Sequence, residues 1–192
     1  MTKTFMAFIA ITLVSCGTAE KKEAPKEEAA ATTTTTEAAA PAVATVTNLS
    51  GYTPMYSASF SIGDVKNAET VLALYKSWDS GNLEPLKSSF ADSVSFYLAG
   101  GDVVAGRRDS AIAAMQAYRN GFTEVKNTVH AVFPVKSADK NENWVCIWAT
   151  EYMTNKKGKK DSTQLQETWR FDNDGKVNLL YQFSAKAPKP KK

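Results

Sequence analysis

Residues 74 to 98 read LYKSWDSGNLEPLKSSFADSVSFYL, and the fold turns on how this stretch is divided. Its first part continues a helical pattern. Asp64 is placed to cap that helix, Val65, Ala68, Leu72, Tyr75 and Trp78 recur every three or four residues, and Gly81 stops it. Asn82 then caps a second short helix in which Pro85 is tolerated in the first turn, with Leu83, Leu86 and Phe90 as its buried side. From Val94 the period changes to two. Val94, Phe96 and Leu98 alternate with Ser95 and Tyr97, so a strand runs up to Gly100 and Gly101 and returns through Val103 and Val104.

Downstream, Asp109 opens a third helix with Ile112, Met115 and Tyr118 on one side, and Asn120-Gly121 reads as its left-handed cap. The rest is β-rich. Four long runs, residues 123–135, 143–154, 162–172 and 176–185, are joined by polar turns such as Asn173-Asp174-Gly175. Helices first and an antiparallel meander after predict an α+β domain over residues 62–185, a strongly curved antiparallel sheet with three N-terminal helices on its concave side.

Upstream, the chain opens MTKTFMAFIAITLVSC. The apolar run from Phe5 to Val14 spans about ten residues where a bilayer span needs about twenty, so residues 1–15 read as a signal peptide rather than a permanent anchor. Leu13, Ser15, Cys16 and Gly17 resemble the lipobox of bacterial lipoproteins. That resemblance implies cleavage before Cys16, lipidation of Cys16 and attachment to the membrane of the cell envelope; Gly17, where Asp would signal inner-membrane retention, points to the outer membrane. Residues 16–61, rich in Ala, Thr, Glu and Lys, read as a disordered tether, and residues 186–192, with four Lys and two Pro, as a disordered tail.

Composition excludes several classes of function. The net charge of +3 comes from 23 basic and 20 acidic residues with no basic face interleaved with aromatics, so no nucleic-acid partner is expected. One His and two Cys supply no metal site, and no cofactor is expected. With Cys16 lipidated, Cys146 in the run WVCIW has no disulfide partner and reads as a small buried hydrophobe. His130, in an alternation of polar residues with Glu124, Lys126 and Thr128, reads as a solvated side chain.

The order helix, helix, strand pair, helix, four long strands resembles the nuclear transport factor 2-like superfamily, in its SnoaL-like and ketosteroid-isomerase-like branch. The segment quoted above, the third helix from Gly106 to Tyr118, and the last hairpin WRFDNDGKV carry the likeness. It implies a cone-shaped sheet with a pocket and many possible activities. Laid on the isomerase, Tyr75 falls at the oxyanion-hole Tyr, Tyr118 at a supporting Tyr and Glu167 at a carboxylic acid donor. The proton-abstracting Asp, however, falls at Leu98, and a hydrocarbon cannot take a proton.

The same alignment places Trp148, Thr150 and Tyr152 on one strand, Leu165, Glu167 and Trp169 on the next, and Gln182 on the last, all facing the cone. Tyr75, Trp78, Phe96, Leu98, Tyr118 and Phe122 complete the expected pocket. Aromatic walls with few polar groups suit a small apolar or amphipathic ligand, and a buried Glu167 should hold its proton above the usual carboxylate range. Three functions follow: a pocket that binds such a ligand, an isomerase, dehydratase or hydrolase using Glu167 with Tyr75 and Tyr118, or a dimerising scaffold with a filled cone. Val145, Ile147 and Ala149, with Tyr181 and Phe183, are assigned to the outer sheet face, where a second copy would cover them as a homodimer.

Overall fold

A computed structural model describes residues 44–186. The expected signal peptide, the expected lipidation site at Cys16, most of the expected tether and the tail after Lys186 lie outside the described residues.

Helix α1 (Val65–Ser80) begins where Asp64 accepts the Lys66 N–H at 2.9 Å. It ends at Gly81, whose φ of 81° lets its N–H reach Ser77 O and Trp78 O. The buried side is Ala68, Val71, Leu74 and Tyr75; Val65 and Leu72, expected inside, are exposed. The second helix is a six-residue 3₁₀ turn, Glu84–Ser89, with Pro85 in its first turn and Asn82 Oδ1 accepting the Glu84 N–H. Strands β3 (Phe90–Tyr97) and β4 (Val103–Arg107) form the expected hairpin, and α2 (Arg108–Arg119) follows.

The end of α2 departs from expectation. Asn120 is right-handed with φ −65°, so the predicted left-handed cap is absent; Gly121 N–H simply returns to Tyr118 O. The last residue of the helix is instead turned inward, and Arg119 serves as the cap of a neighbouring helix, as described below.

Strands β5 (Phe122–Ser137), β6 (Asn143–Asn155), β7 (Lys160–Phe171) and β8 (Val177–Lys186) form the meander. Two short strands precede α1: β1 (Ala44–Thr45) and β2 (Ser59–Ile62). The sheet order is β1-β2-β5-β6-β7-β8-β3-β4. Every joint is antiparallel except β3 with β8, which pair in parallel through Phe96 and Leu180, so the sheet is mixed where the sequence suggested a purely antiparallel one. Register shifts at Phe122/Glu124 and Val129/Ala131 interrupt the sixteen-residue β5. Such bulges bend a strand and increase its twist, which curves the sheet around the helices.

The expected tether to Ser61 is also too long. Phe60 and Ile62 pair with Ser137 and Val135 of β5, and Tyr56 donates to Glu142 at 2.6 Å. Strand β5 would otherwise offer an open row of backbone groups at the sheet edge, and the end of the linker covers it.

The core lies between α1, α2 and the concave face. Val71, Val94, Val145, Ile147 and Val177 are its fully buried aliphatic members. This reverses the assignment of β6: Val145, Ile147 and Ala149 face inward, not outward. Ile147 is directly opposite Glu167 in the antiparallel register, and opposed residues share a face. The outer face of β6 holds Trp144, Trp148 and Tyr152. Trp144 stacks on Tyr181 with ring centroids 6.4 Å apart, and Trp148 meets Phe133 edge-on at 5.7 Å.

Candidate functional site

Between the helices and the concave sheet is a cavity of about 470 Å³. Tyr75 and Trp78 line it from α1, Phe96 from β3, Leu98 from just past the end of β3, Tyr118 from α2, Glu167 and Trp169 from β7, and Gln182 from β8. Trp148 and Tyr152, about half exposed, lie on the outer face with β6's reversed parity. Thr150 shares that face, where its hydroxyl meets His130 Nε2 at 2.8 Å. Phe122 is likewise outside the cavity, packed edge-on against Tyr118 at 5.4 Å where β5 begins.

Glu167 is the most constrained polar group. It is 3 % exposed, and its two oxygens accept three donors: Tyr75 hydroxyl at 2.7 Å and Trp169 Nε1 at 3.0 Å on one, Gln182 Nε2 at 2.7 Å on the other. Gln182 is oriented in turn by the Ala99 N–H, which donates to its Oε1 at 3.3 Å. Burial pushes the Glu167 carboxyl above its usual range, against the three donors that favour the ionised form. Burial first, and then the neighbouring Glu167, raises the Tyr75 hydroxyl, which stays protonated. Tyr75 therefore spends its proton on Glu167 rather than pointing it at a ligand. The pair the isomerase likeness assigned to chemistry is joined into a single support.

Glu151 is the residue the sequence reading missed. Reversing β6 brings it into the cavity wall, nine-tenths buried, where it accepts Trp78 Nε1 at 2.7 Å. Burial raises its carboxyl, and the charge of Glu167 adds to the effect; Trp78 and the Asn127 amide beside it pull the other way. Asn127 gives its side-chain and backbone N–H groups to Asp79 Oδ1 at 2.8 and 3.0 Å. Its own Oδ1 is buried without a partner. The signal for Glu151 lay in the pairing of two strands rather than in its own: once Glu167 faces inward, antiparallel register carries Ile147, Ala149 and Glu151 inward with it.

At the rim, Tyr118 lies against Trp78 with centroids 6.2 Å apart and planes 18° from parallel. Its hydroxyl is raised by partial burial and by the charges of Glu151 and Asp102. Tyr118 is 60 % exposed, so it forms an edge of the opening rather than an inner donor beside Glu167. Among the described residues no cluster of three metal-ligating side chains occurs, and no helix is long and apolar enough to cross a membrane.

The model of the family described as SnoaL-like domain matches residues 71–179, more than half of the chain. The chain belongs to this family. A search of the curated proteins gave no match. Among solved structures, the domain is similar to the epoxide hydrolase/cyclase-like enzyme SalBIII of pyran ring formation in salinomycin, with 18 % identity, a TM-score of 0.50, and coverage of 63 % of this chain and 92 % of that one. It is similar to a putative SnoaL-like polyketide cyclase from Shewanella denitrificans, at 14 % identity, a TM-score of 0.52, and 64 % and 92 % coverage. It is also similar to an LEH-like epoxide hydrolase of M. tuberculosis, at 13 % identity, a TM-score of 0.50, and 63 % and 84 % coverage. At these identities the likeness establishes the nuclear transport factor 2-like cone, and the functional reading rests on the site itself.

Proposed function

We propose that this SnoaL-like protein is lipid-anchored in the bacterial cell envelope, at the outer membrane, and binds a small apolar or amphipathic molecule in its cone. The observation that carries the binding reading is the cavity of about 470 Å³, within the size range of small-molecule sites, walled by aromatic and aliphatic side chains with a few convergent polar groups. The anchor reading rests on Leu13, Ser15 and Cys16 at the end of the apolar run. The outer sheet face, with Phe133, Trp148, Tyr181 and Phe183 each more than a third exposed, supports a homodimer formed through the sheet.

One experiment addresses all three. The chain is expressed in a bacterium with a lipoprotein pathway, extracted from membranes and weighed by native mass spectrometry. The expected spectrum is a dimer whose subunits lack residues 1–15, carry acyl mass that a Cys16→Ser variant loses, and retain a small molecule. Leu98→Trp should weaken or remove that retained mass, because the larger ring intrudes on the ligand's space, while leaving the acyl mass in place. Unmodified Cys16, a monomer, or a wild-type subunit with no additional small mass would each sink the corresponding part.

A second reading is supported by Glu151. A titratable group missing at Leu98 is present on another strand, so two carboxyls with raised proton affinity share one cavity, and groups perturbed in this way are candidates for proton transfer. The solved relatives named as epoxide hydrolases and cyclases favour looking for this chemistry. A retained molecule recovered chemically altered from wild type and unaltered from Glu151→Gln would select it; the same compound in both would select binding.

A further inference from the structure

We propose that the ligand is an ammonium amphiphile, a hydrocarbon or aromatic body carrying a protonated amine, held with its charged head between Glu151 and Asp102 against the Trp78–Tyr118 stack. This rests on the binding reading above and narrows it.

The cavity wall is one-sided in charge. Glu151, Glu167 and Asp102 line it, and no Lys, Arg or His does. Glu167 is saturated by three protein donors and needs nothing more. Glu151 is different. It is nine-tenths buried, takes the Trp78 indole as its donor with the Asn127 amide beside it, and has no cation to offset its burial. Next to it, Asn127 Oδ1 is a second acceptor left without a donor. The polar end of the cavity therefore has acceptors in excess, and the missing complement is a donor that is also positive.

The aromatic geometry fits the same head group. Trp78 and Tyr118 lie nearly parallel, and Glu151 and Asp102 line the same cavity as this aromatic pair. Faces of Trp and Tyr attract ammonium groups through the ring quadrupole, and more strongly where water is displaced. Deeper in, Leu74, Phe96, Ile112, Leu165 and Leu180 offer only hydrocarbon to the body of the ligand. A carboxylate or phosphate head would meet two acids and no cation, so anionic amphiphiles are disfavoured by like-charge repulsion in a poorly hydrated site.

The test uses the purified chain and three probes with one tail: 4-phenylbutylamine, 4-phenyl-1-butanol and 4-phenylbutyrate, titrated at pH 7 by calorimetry. The amine should bind at least about tenfold tighter than the alcohol, which corresponds to about 1.4 kcal/mol, and the carboxylate should bind weakest. Glu151→Gln keeps an acceptor for the Trp78 indole but removes the charge, and should bring the amine down to the level of the alcohol. Asp102→Asn, at an exposed rim position that leaves the interior untouched, should weaken the amine two- to threefold, and less at high salt. Alcohol binding as tightly as amine, or an amine preference that survives both substitutions, would overturn the ammonium assignment while leaving a ligand pocket. Failure of all three probes to bind would overturn the pocket reading as well as the assignment.

Discussion

Replacing Glu167 by Leu is expected to lower the stability of the domain by about 4 kcal/mol, since each stranded buried donor costs about 1–3 kcal/mol. Leucine leaves the Tyr75 hydroxyl and the Trp169 indole N–H facing hydrocarbon, and it frees a Gln182 N–H that is only half buried and can reach water. Glu167→Gln should cost less, about 1–2 kcal/mol. Its carbonyl can serve Tyr75 and Trp169 together, but its NH₂ then faces the Gln182 NH₂ until Gln182 turns over and gives up the weak 3.3 Å bond from Ala99. Denaturant unfolding at pH 7 reads both values, and a loss below about 1 kcal/mol for the leucine variant would show that the three donors find other partners.

The pH dependence of the glutamine variant supplies a second readout. Burial raises the Glu167 carboxyl in the folded chain above its unfolded value. Its favourable contribution is therefore fully present below the unfolded carboxyl pKa, near 4.3, and is lost as the pH climbs through the folded value. Glutamine does not titrate, so the gap between wild type and Glu167→Gln should be widest near pH 4 and narrow by pH 8. Glu151, raised by the same cause, contributes with the same sign, so the comparison is made against Glu151→Gln as a parallel background. A gap that widened with pH would mean that the three donors outweigh burial and that Glu167 is a permanent anion.

How much of this was legible in the sequence depended on whether one face of an element was unambiguous. Asp64 and Gly81 bracket α1 because a capping carboxylate and a left-handed stop are local chemistry, readable without any neighbour. The likeness to the isomerase placed Glu167 on the cone face, and an acid between Leu165 and Trp169 on an apolar strand, which needs partners, agrees with it. Strand β6 lacked that agreement. Both its faces are apolar, Val145, Ile147 and Ala149 on one and Trp144, Trp148 and Tyr152 on the other, so a period of two identifies a strand without saying which side is inside. Choosing the aromatic face as the pocket wall exchanged the two sets and hid Glu151.

The information that settles the choice is non-local. It is the pairing of Ile147 with Glu167 across the hairpin, and no residue of β6 alone encodes it. The parallel joint of β3 with β8 is invisible for the same reason, since its partners are separated by most of the domain. The left-handed cap expected at Asn120-Gly121 failed differently. The dipeptide is the usual signal, but the preceding Arg119 is held so firmly inward that α2 runs straight into β5.

Arg119 should be the second costly position, with Arg119→Leu destabilising by about 3 kcal/mol or more, because hydrogen bonds to charged groups each contribute about 1.5–3 kcal/mol. The residue is 5 % exposed, and its guanidinium spreads over the end of α1: Nε to Trp78 O at 2.6 Å and Nη2 to Asp79 O at 2.9 Å. A third bond, Nη1 to Phe122 O at 3.2 Å, ties the start of β5 to the same fork. Trp78 O and Asp79 O belong to the group of four carbonyls that every helix leaves without an intrahelical partner at its C-terminus, and a positive charge there also meets the negative end of the helix dipole. Leucine would remove all three bonds at once and strand acceptors in a site its own side chain keeps dry.

The fork is what the position demands, so Arg119→Lys should recover only part of the loss. An ammonium retains the charge but cannot reach three carbonyls from one plane. The consequence extends to the cavity, since Arg119 fixes the turn of α1 that presents Trp78, whose indole holds Glu151. Calorimetric titration of the Arg119→Lys variant with 4-phenylbutylamine, below its unfolding temperature, should therefore show weakened binding with the chain still folded. Wild-type affinity in a clearly destabilised Arg119→Lys would separate the two roles and show that Trp78 is held by the cavity wall rather than by the cap behind it.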